Sequence, residues 1–160
     1  MNWAGVTIGD THPETFLFDA PLSPHLAAEQ HGRRIEVETI CRPADPNPII
    51  IEGAGGVLVP INENALMMDL IKHLDAAAIV AARTTLGTIN HTLLTSSALR
   101  GANVKTAGIV MVGTENPDNR RAMEHHGRVP VIGVIPWLDS INRVTLLSVF
   151  ERHFDHSALA

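Results

Sequence analysis

The sequence predicts an α/β fold, a parallel β-sheet with flanking helices, in a single domain spanning residues 1–160. Three observations carry this reading. From Pro48 onward, short aliphatic runs alternate with amphipathic stretches, the pattern of βα units whose strands are buried on both faces. The chain has 160 residues, 45% of them hydrophobic, enough for one ordinary domain with a core of its own. The run Ile49 to Glu52 ends in a carboxylate followed by Gly53, Ala54, Gly55 and Gly56, as a buried strand does where it opens into a ligand loop.

The strands are expected at Ile49 to Glu52, Ala77 to Ala82, Thr106 to Val112 and Val129 to Val134. Helices are expected at Ala65 to Leu74, Gly87 to Arg100, Pro117 to His126 and Ser140 to Phe154. Pro117 suits the first turn of its helix, where its missing N–H is not needed, and Asn116 can cap it. Each crossover should be right-handed, and four such units make about two thirds of a doubly wound sheet. The first 47 residues differ, because Pro13, Pro21, Pro24, Pro43 and Pro46 interrupt any long element. Only Pro24 to Gly32 reads as a helix there, with proline in the first turn and glycine at the end.

Composition narrows the function classes. The formal net charge is -5, and the basic clusters are no longer than Arg33-Arg34 and Arg120-Arg121, which argues against nucleic acid or an anionic membrane as partner. Aromatics are 4% with no tyrosine, so stacking platforms for single strands are not expected. The single cysteine, Cys41, excludes an internal disulfide framework and fits a reducing, cytoplasmic setting. No apolar run approaches the roughly 18 residues that span a bilayer, and the first residues lack the pattern of a signal peptide. A soluble protein is expected.

Three places carry candidate chemistry. Glu52 falls at the carboxyl end of an expected strand, where helix N-termini converge and ligands sit. A carboxylate there would bind Mg²⁺ directly or through water, since Mg²⁺ takes one or two acids together with phosphate oxygens; the alternative is a tight turn with a solvated glutamate. The second place is Thr84 to Leu94, TTLGTINHTLL, where a helix opens near Gly87 with Thr85 or Thr88 able to cap, offering N–H groups to a carboxylate or phosphate. His91 in that stretch reads as a packed or capping residue. The third is Gly133 to Asp139, where Trp137 either lies against a ring or closes the core, and the residue pattern favours the core. His12, His25, His31, His73, His125, His126, His153 and His156 show no metal spacing, and no G-x-S-x-G elbow is present.

Together, FDAPLSPHLAAE (Phe18 to Glu29), IIIEGAGGVLVPI (Ile49 to Ile61), VAARTTLGTINHTLLTSSAL (Val80 to Leu99), KTAGIVMVG (Lys105 to Gly113) and VPVIGVIPWL (Val129 to Leu138) resemble the dethiobiotin synthetases. The resemblance runs from about Phe16 to Leu138. It implies a P-loop NTPase-like, Rossmann-like three-layer fold and a cytoplasmic homodimer with active sites at the subunit interface. It implies MgATP-dependent carboxylation of 7,8-diaminononanoate by CO2 or bicarbonate, with ureido ring closure to dethiobiotin. By match to the motifs, Glu52 would be a Mg²⁺ ligand beside the nucleotide. Gly53, Ala54, Gly55 and Gly56 would lie against phosphate and diamine. Leu86, Gly87, Thr88, Ile89 and Asn90 would receive the carboxylate tail of the diamine across the interface. Val112, Ile135, Pro136 and Trp137 would line the adenine.

Two departures from the family pattern stand out. No G-x-x-x-x-G-K-[ST] occurs, so the phosphate-binding lysine loop and the first βαβ part of the fold are expected to be missing, and the 160 residues alone are expected to be impaired. The family's catalytic lysines have no counterpart. Val112 stands where the family has an adenine-reading asparagine, and valine neither donates nor accepts. A non-catalytic dimer-forming or metabolite-binding relative is the alternative.

Overall fold

The computed structural model describes residues 5–159. They group into two compact units, residues 5–11 with 77–159, and His12–Ala76.

The smaller unit holds two short helices. Helix α1 (Pro24–Gln30) starts on Pro24, as the sequence predicts, and ends at His31 and Gly32, whose φ of +61 is open to glycine. Helix α2 (Met67–His73) begins two residues later than expected. Leu66 stays extended because it forms an isolated antiparallel bridge with Pro60, and the Asp69 carboxylate accepts its N–H at 2.8 Å. A core of Ala28, Ile35, Val37, Ile61 and Met67 holds these pieces together, with Phe16 and Phe18 packed against it. Buried Asn62 donates its side-chain amide to the Ile35 carbonyl at 2.7 Å, so its polarity is satisfied.

The strand expected over 49–52 is not formed. Ile49 to Glu52 is irregular and none of its backbone groups is hydrogen-bonded among the described residues. A strand exists only through a neighbour's ladder, and without one the apolar side chains have no face to cover them. Ile50 is 96% exposed.

In the larger unit, β1 (Ala78–Arg83), β2 (Thr106–Val112) and β3 (Val131–Ile135) form a parallel sheet in the order β1-β2-β3. Helix α3 (Thr88–Gly101) connects β1 to β2, α4 (Pro117–Gly127) connects β2 to β3, and α5 (Arg143–His153) follows. The helical caps explain the boundaries. The Asn116 side chain accepts the Asn119 N–H at 3.0 Å, as its position predicts, and Pro117 follows it. Asn142 accepts N–H groups from Val144 and Thr145, which places the start of α5 three residues beyond Ser140.

The apolar residues of β2 carry the core: Ile109 and Met111 are fully buried with Met123, Val131 and Val134. Helices and strands are also tied by polar contacts. Arg100 donates to the Gly127 carbonyl at 2.8 Å, linking α3 to α4. Arg120 donates to the Val131 carbonyl, while the Glu124 carboxylate accepts the Val131 N–H, each at 3.0 Å. Glycines mark the tightest approaches. A side chain on Gly108 would strike Ile132, and one on Gly133 would strike the Phe154 ring. Beyond α5, Phe154 bridges antiparallel to Gly133, and the Asp155 N–H donates to the Ile132 carbonyl at 2.8 Å, covering the outer edge of β3. The Ser157 hydroxyl and N–H hold the Asp155 carboxyl below the usual carboxylate range and close that turn. Among the described residues no helix is long and apolar enough to cross a membrane.

Candidate functional site

The sheet register brings Arg83, Val112 and Ile135 abreast at the carboxyl ends of the three strands, where ligands sit in open parallel sheets. The turns leaving these strands are tight. Gly113 has φ +128, and any Cβ there would collide with the Thr84 hydroxyl. Its N–H donates to the Ile135 carbonyl at 2.9 Å, so the β2 and β3 ends are locked together.

The start of α3 is built from glycine and threonine in different roles from those expected. Neither Thr85 nor Thr88 caps the helix through its side chain; Gly87 occupies the cap position with φ +90. The Thr88 hydroxyl instead donates to the Arg83 carbonyl and is buried, which staples the helix start to the end of β1. The Thr88 N–H donates to the Thr85 carbonyl at 3.2 Å, leaving the N–H groups of Ile89 and Asn90 without partners among the described residues. Leu86, Gly87 and Asn90 are exposed and Ile89 is half-buried. His91 corrects the expectation of a packed or capping residue: it is exposed, its ring lies beside Gly87, and the imidazole has no hydrogen-bond partner among the described residues, while its N–H donates to the Gly87 carbonyl at 3.1 Å. A cleft of about 330 Å³ runs here along β1, lined by Arg83, Thr85, Leu86, Thr88, His91 and Thr92 among others. Arg83 is a lining residue that the motif reading did not single out.

Substituting Gly87 gives a measurable test of this turn. A Cβ would meet His91 atoms only at 3.7 and 3.8 Å, an ordinary contact, so the penalty is conformational. Gly87→Ala is expected to cost about 1–2 kcal/mol of unfolding free energy in urea titration, the cost of a left-handed non-glycine residue.

In the smaller unit, the EGAGG loop packs onto the start of α2. The Met67 and Met68 N–H groups donate to the Val59 and Val57 carbonyls at 2.8 and 2.9 Å. Gly55, at φ +85, could carry no side chain: its Cβ would lie 2.9 Å from Val59. A Cβ on Gly53 would press on the Met67 sulfur at 3.1 Å, whereas Gly56 is open. Ala54 is exposed. Glu52 is exposed and its carboxylate has no partner among the described residues. No group of three or more histidine, cysteine or acidic side chains converges among the described residues, and Glu52 stands there as a single carboxylate.

At the end of β3, Ile135 and Pro136 are half-buried, as is Val112 on β2. Trp137 is 76% exposed, which overturns the reading of it as a core residue and leaves its ring free to meet a ligand.

A family model described as an AAA domain matches residues 2–145. The chain is 47% identical over 135 residues to the ATP-dependent dethiobiotin synthetase of Paramagnetospirillum magneticum, covering 84% of this chain and 66% of that protein. It is 38% identical over 144 residues to the ATP-dependent dethiobiotin synthetase of Lawsonia intracellularis, covering 90% of this chain and 70% of that protein. The chain belongs to the dethiobiotin synthetase family. It is also 44% identical over 131 residues to the biotin biosynthesis bifunctional protein BioCD of Bordetella avium, covering 82% of this chain and 28% of that protein. The chain thus spans less than two thirds of the first of these synthetases and a smaller part of the bifunctional protein. Within the family frame, Leu86–Asn90 lie together at one helix start and Val112 and Ile135 lie side by side, whereas Glu52 and Gly53–Gly56 belong to the other unit.

Proposed function

We propose that the chain provides the diamine-binding and adenine-flanking part of a cytoplasmic dethiobiotin synthetase, working as a homodimer on 7,8-diaminononanoate, CO2 or bicarbonate, and MgATP. The observation that carries this reading is the start of α3. A left-handed Gly87 and two N–H groups without partners among the described residues stand at the carboxyl end of a parallel strand, in the LGTINHTLLT stretch that resembles the family's motif.

On this reading the N–H groups of Ile89 and Asn90 donate to the carboxylate tail of the diamine, with Leu86, Gly87 and Thr88 shaping the approach. Gly53, Ala54, Gly55 and Gly56 let the backbone come close to phosphate and to the diamine. Glu52 holds Mg²⁺, which when bound offsets charge on the ATP phosphates. Val112, Ile135, Pro136 and Trp137 form an apolar wall for adenine. One amine captures CO2 as a carbamate, ATP phosphorylates the carbamate, and the second amine attacks its carbon, closing the ureido ring and expelling phosphate. These residues contribute by holding the two amines and the phosphate in line, so orientation carries the rate enhancement.

The 160 residues contain no G-x-x-x-x-G-K-[ST] sequence. The test is MgATP-dependent dethiobiotin formation by this polypeptide, alone and mixed with the lysine-loop segment of a full-length relative. Turnover is expected in the mixture and little or none from the polypeptide alone. One observation favours a second reading, a non-catalytic diamine-binding relative: Val112 offers adenine no hydrogen bond. Diamine binding with no turnover in either sample supports that reading.

A further inference from the structure

We propose that Arg83 and His91 are the side chains by which this chain selects a ligand carrying a carboxylate, a specificity role resting on the proposed function above. Both line the cleft along β1, Arg83 from the end of the strand and His91 from the first turns of α3. No acidic residue lines that cleft, and none occurs in the first turn of α3. Neither the guanidinium of Arg83 nor the imidazole of His91 has a hydrogen bond or an ion pair among the described residues, and both residues are exposed. Arg34, Arg100, Arg120 and Arg121, by contrast, all have hydrogen-bond or ion-pair partners.

The remaining polar lining is threonine: Thr85, Thr88, Thr92 and Thr95. Thr88 is committed to the Arg83 carbonyl, so the basic donors facing an anion are the two side chains, with the free N–H groups of α3 and the other threonine hydroxyls beside them. The walls beside them are Val80, Ala81, Ala82 and Leu86, apolar surface suited to an alkyl chain. Two basic groups with an apolar strip match a ligand bearing a carboxylate on a hydrocarbon tail. A guanidinium takes a carboxylate with two parallel N–H donors, and an imidazole N–H adds a third.

The experiment is calorimetric titration of the 160-residue chain and its Arg83→Gln and His91→Gln variants with two probes. These are 7,8-diaminononanoate and octane-2,3-diamine, which keeps the vicinal diamine and lacks the carboxylate. The wild type is expected to bind the acid more tightly, and each variant to weaken the acid on the order of 10- to 100-fold, the weight of a charge-assisted hydrogen bond, with the plain diamine unchanged. Arg83→Lys should recover part of the loss, which a merely structural effect would not. Equal loss for both probes, or no loss for the acid, overturns the assignment of Arg83 and His91 while leaving the proposed function standing. Equal wild-type affinity for the two probes does the same. A wild type that binds neither probe overturns the proposed function and this inference with it.

Discussion

Gly108→Val is expected to lower the unfolding free energy by about 3 kcal/mol or more, and to abolish soluble expression if the native margin is near the low end of the usual 5–15 kcal/mol. The sequence alone points the other way. Position 108 lies in the central strand of a parallel sheet, where valine is favoured over glycine by up to about 1 kcal/mol. Packing outweighs that preference. The Ile132 side chain occupies the place a Cβ would take, and Ile132 is 1% exposed, so it cannot swing into solvent. Backbone movement is limited too, because β2 is paired on both sides and its neighbours Ile109 and Met111 are fully buried. The check is a double-mutant cycle in urea between Gly108→Ala and Ile132→Ala. If the clash is the cause, the two penalties sum to more than the double variant shows, by 1 kcal/mol or more. Strict additivity would remove this explanation.

Most of the fold was legible because its signals were local. Thr106 to Val112 is an unbroken aliphatic run between turns, and the strand matches it at both ends. Pro117 and the Asn116 cap placed the start of α4, and Asn142, a capping residue not picked out from sequence, moved α5. What the sequence hid were the non-local terms. Ile49 to Glu52 has the composition of a buried strand, but composition cannot say whether a neighbouring ladder is within reach. Trp137 has the volume of a core residue and lies exposed, because Pro136 carries the chain out of β3 beyond the sheet. The caution attached to glycine inside strand patterns was available for Gly108 and Gly133, where a close neighbour takes the space of the side chain.

The candidate site divides in the same way. The left-handed turn at Gly87 follows from a glycine between a strand and a helix, and the structure adds the buried Thr88 staple. Val112 and Ile135 could be placed at strand ends from sequence, but their pairing depends on register, which only the sheet supplies. Arg83 escaped notice since an arginine at the end of an aliphatic run reads as a solvated terminus. Its lack of any side-chain partner among the described residues, beside a cleft lined by no acid, is a three-dimensional fact.

Glu52→Gln separates a cation ligand from a solvated turn residue. The substitution keeps size and shape and removes the charge, and the exposed Glu52 side chain has no hydrogen bond or ion pair among the described residues, so stability should change by less than about 0.5 kcal/mol. On the proposed reading, MgATP-dependent dethiobiotin formation by the chain mixed with the lysine-loop segment should fall about 100-fold or more, close to 3 kcal/mol of transition-state stabilisation. The Mg²⁺ concentration giving half-maximal rate should also rise, since one carboxylate of a small ligand set is gone. Diamine affinity in the absence of nucleotide is expected to stay as it was, because the proposed carboxylate contacts lie at the start of α3. A full-rate variant would return Glu52 to a solvated turn and leave the cation to groups outside these residues. A variant that loses stability along with rate would show instead that the loop depends on the carboxylate for its shape, despite its exposure and lack of partners.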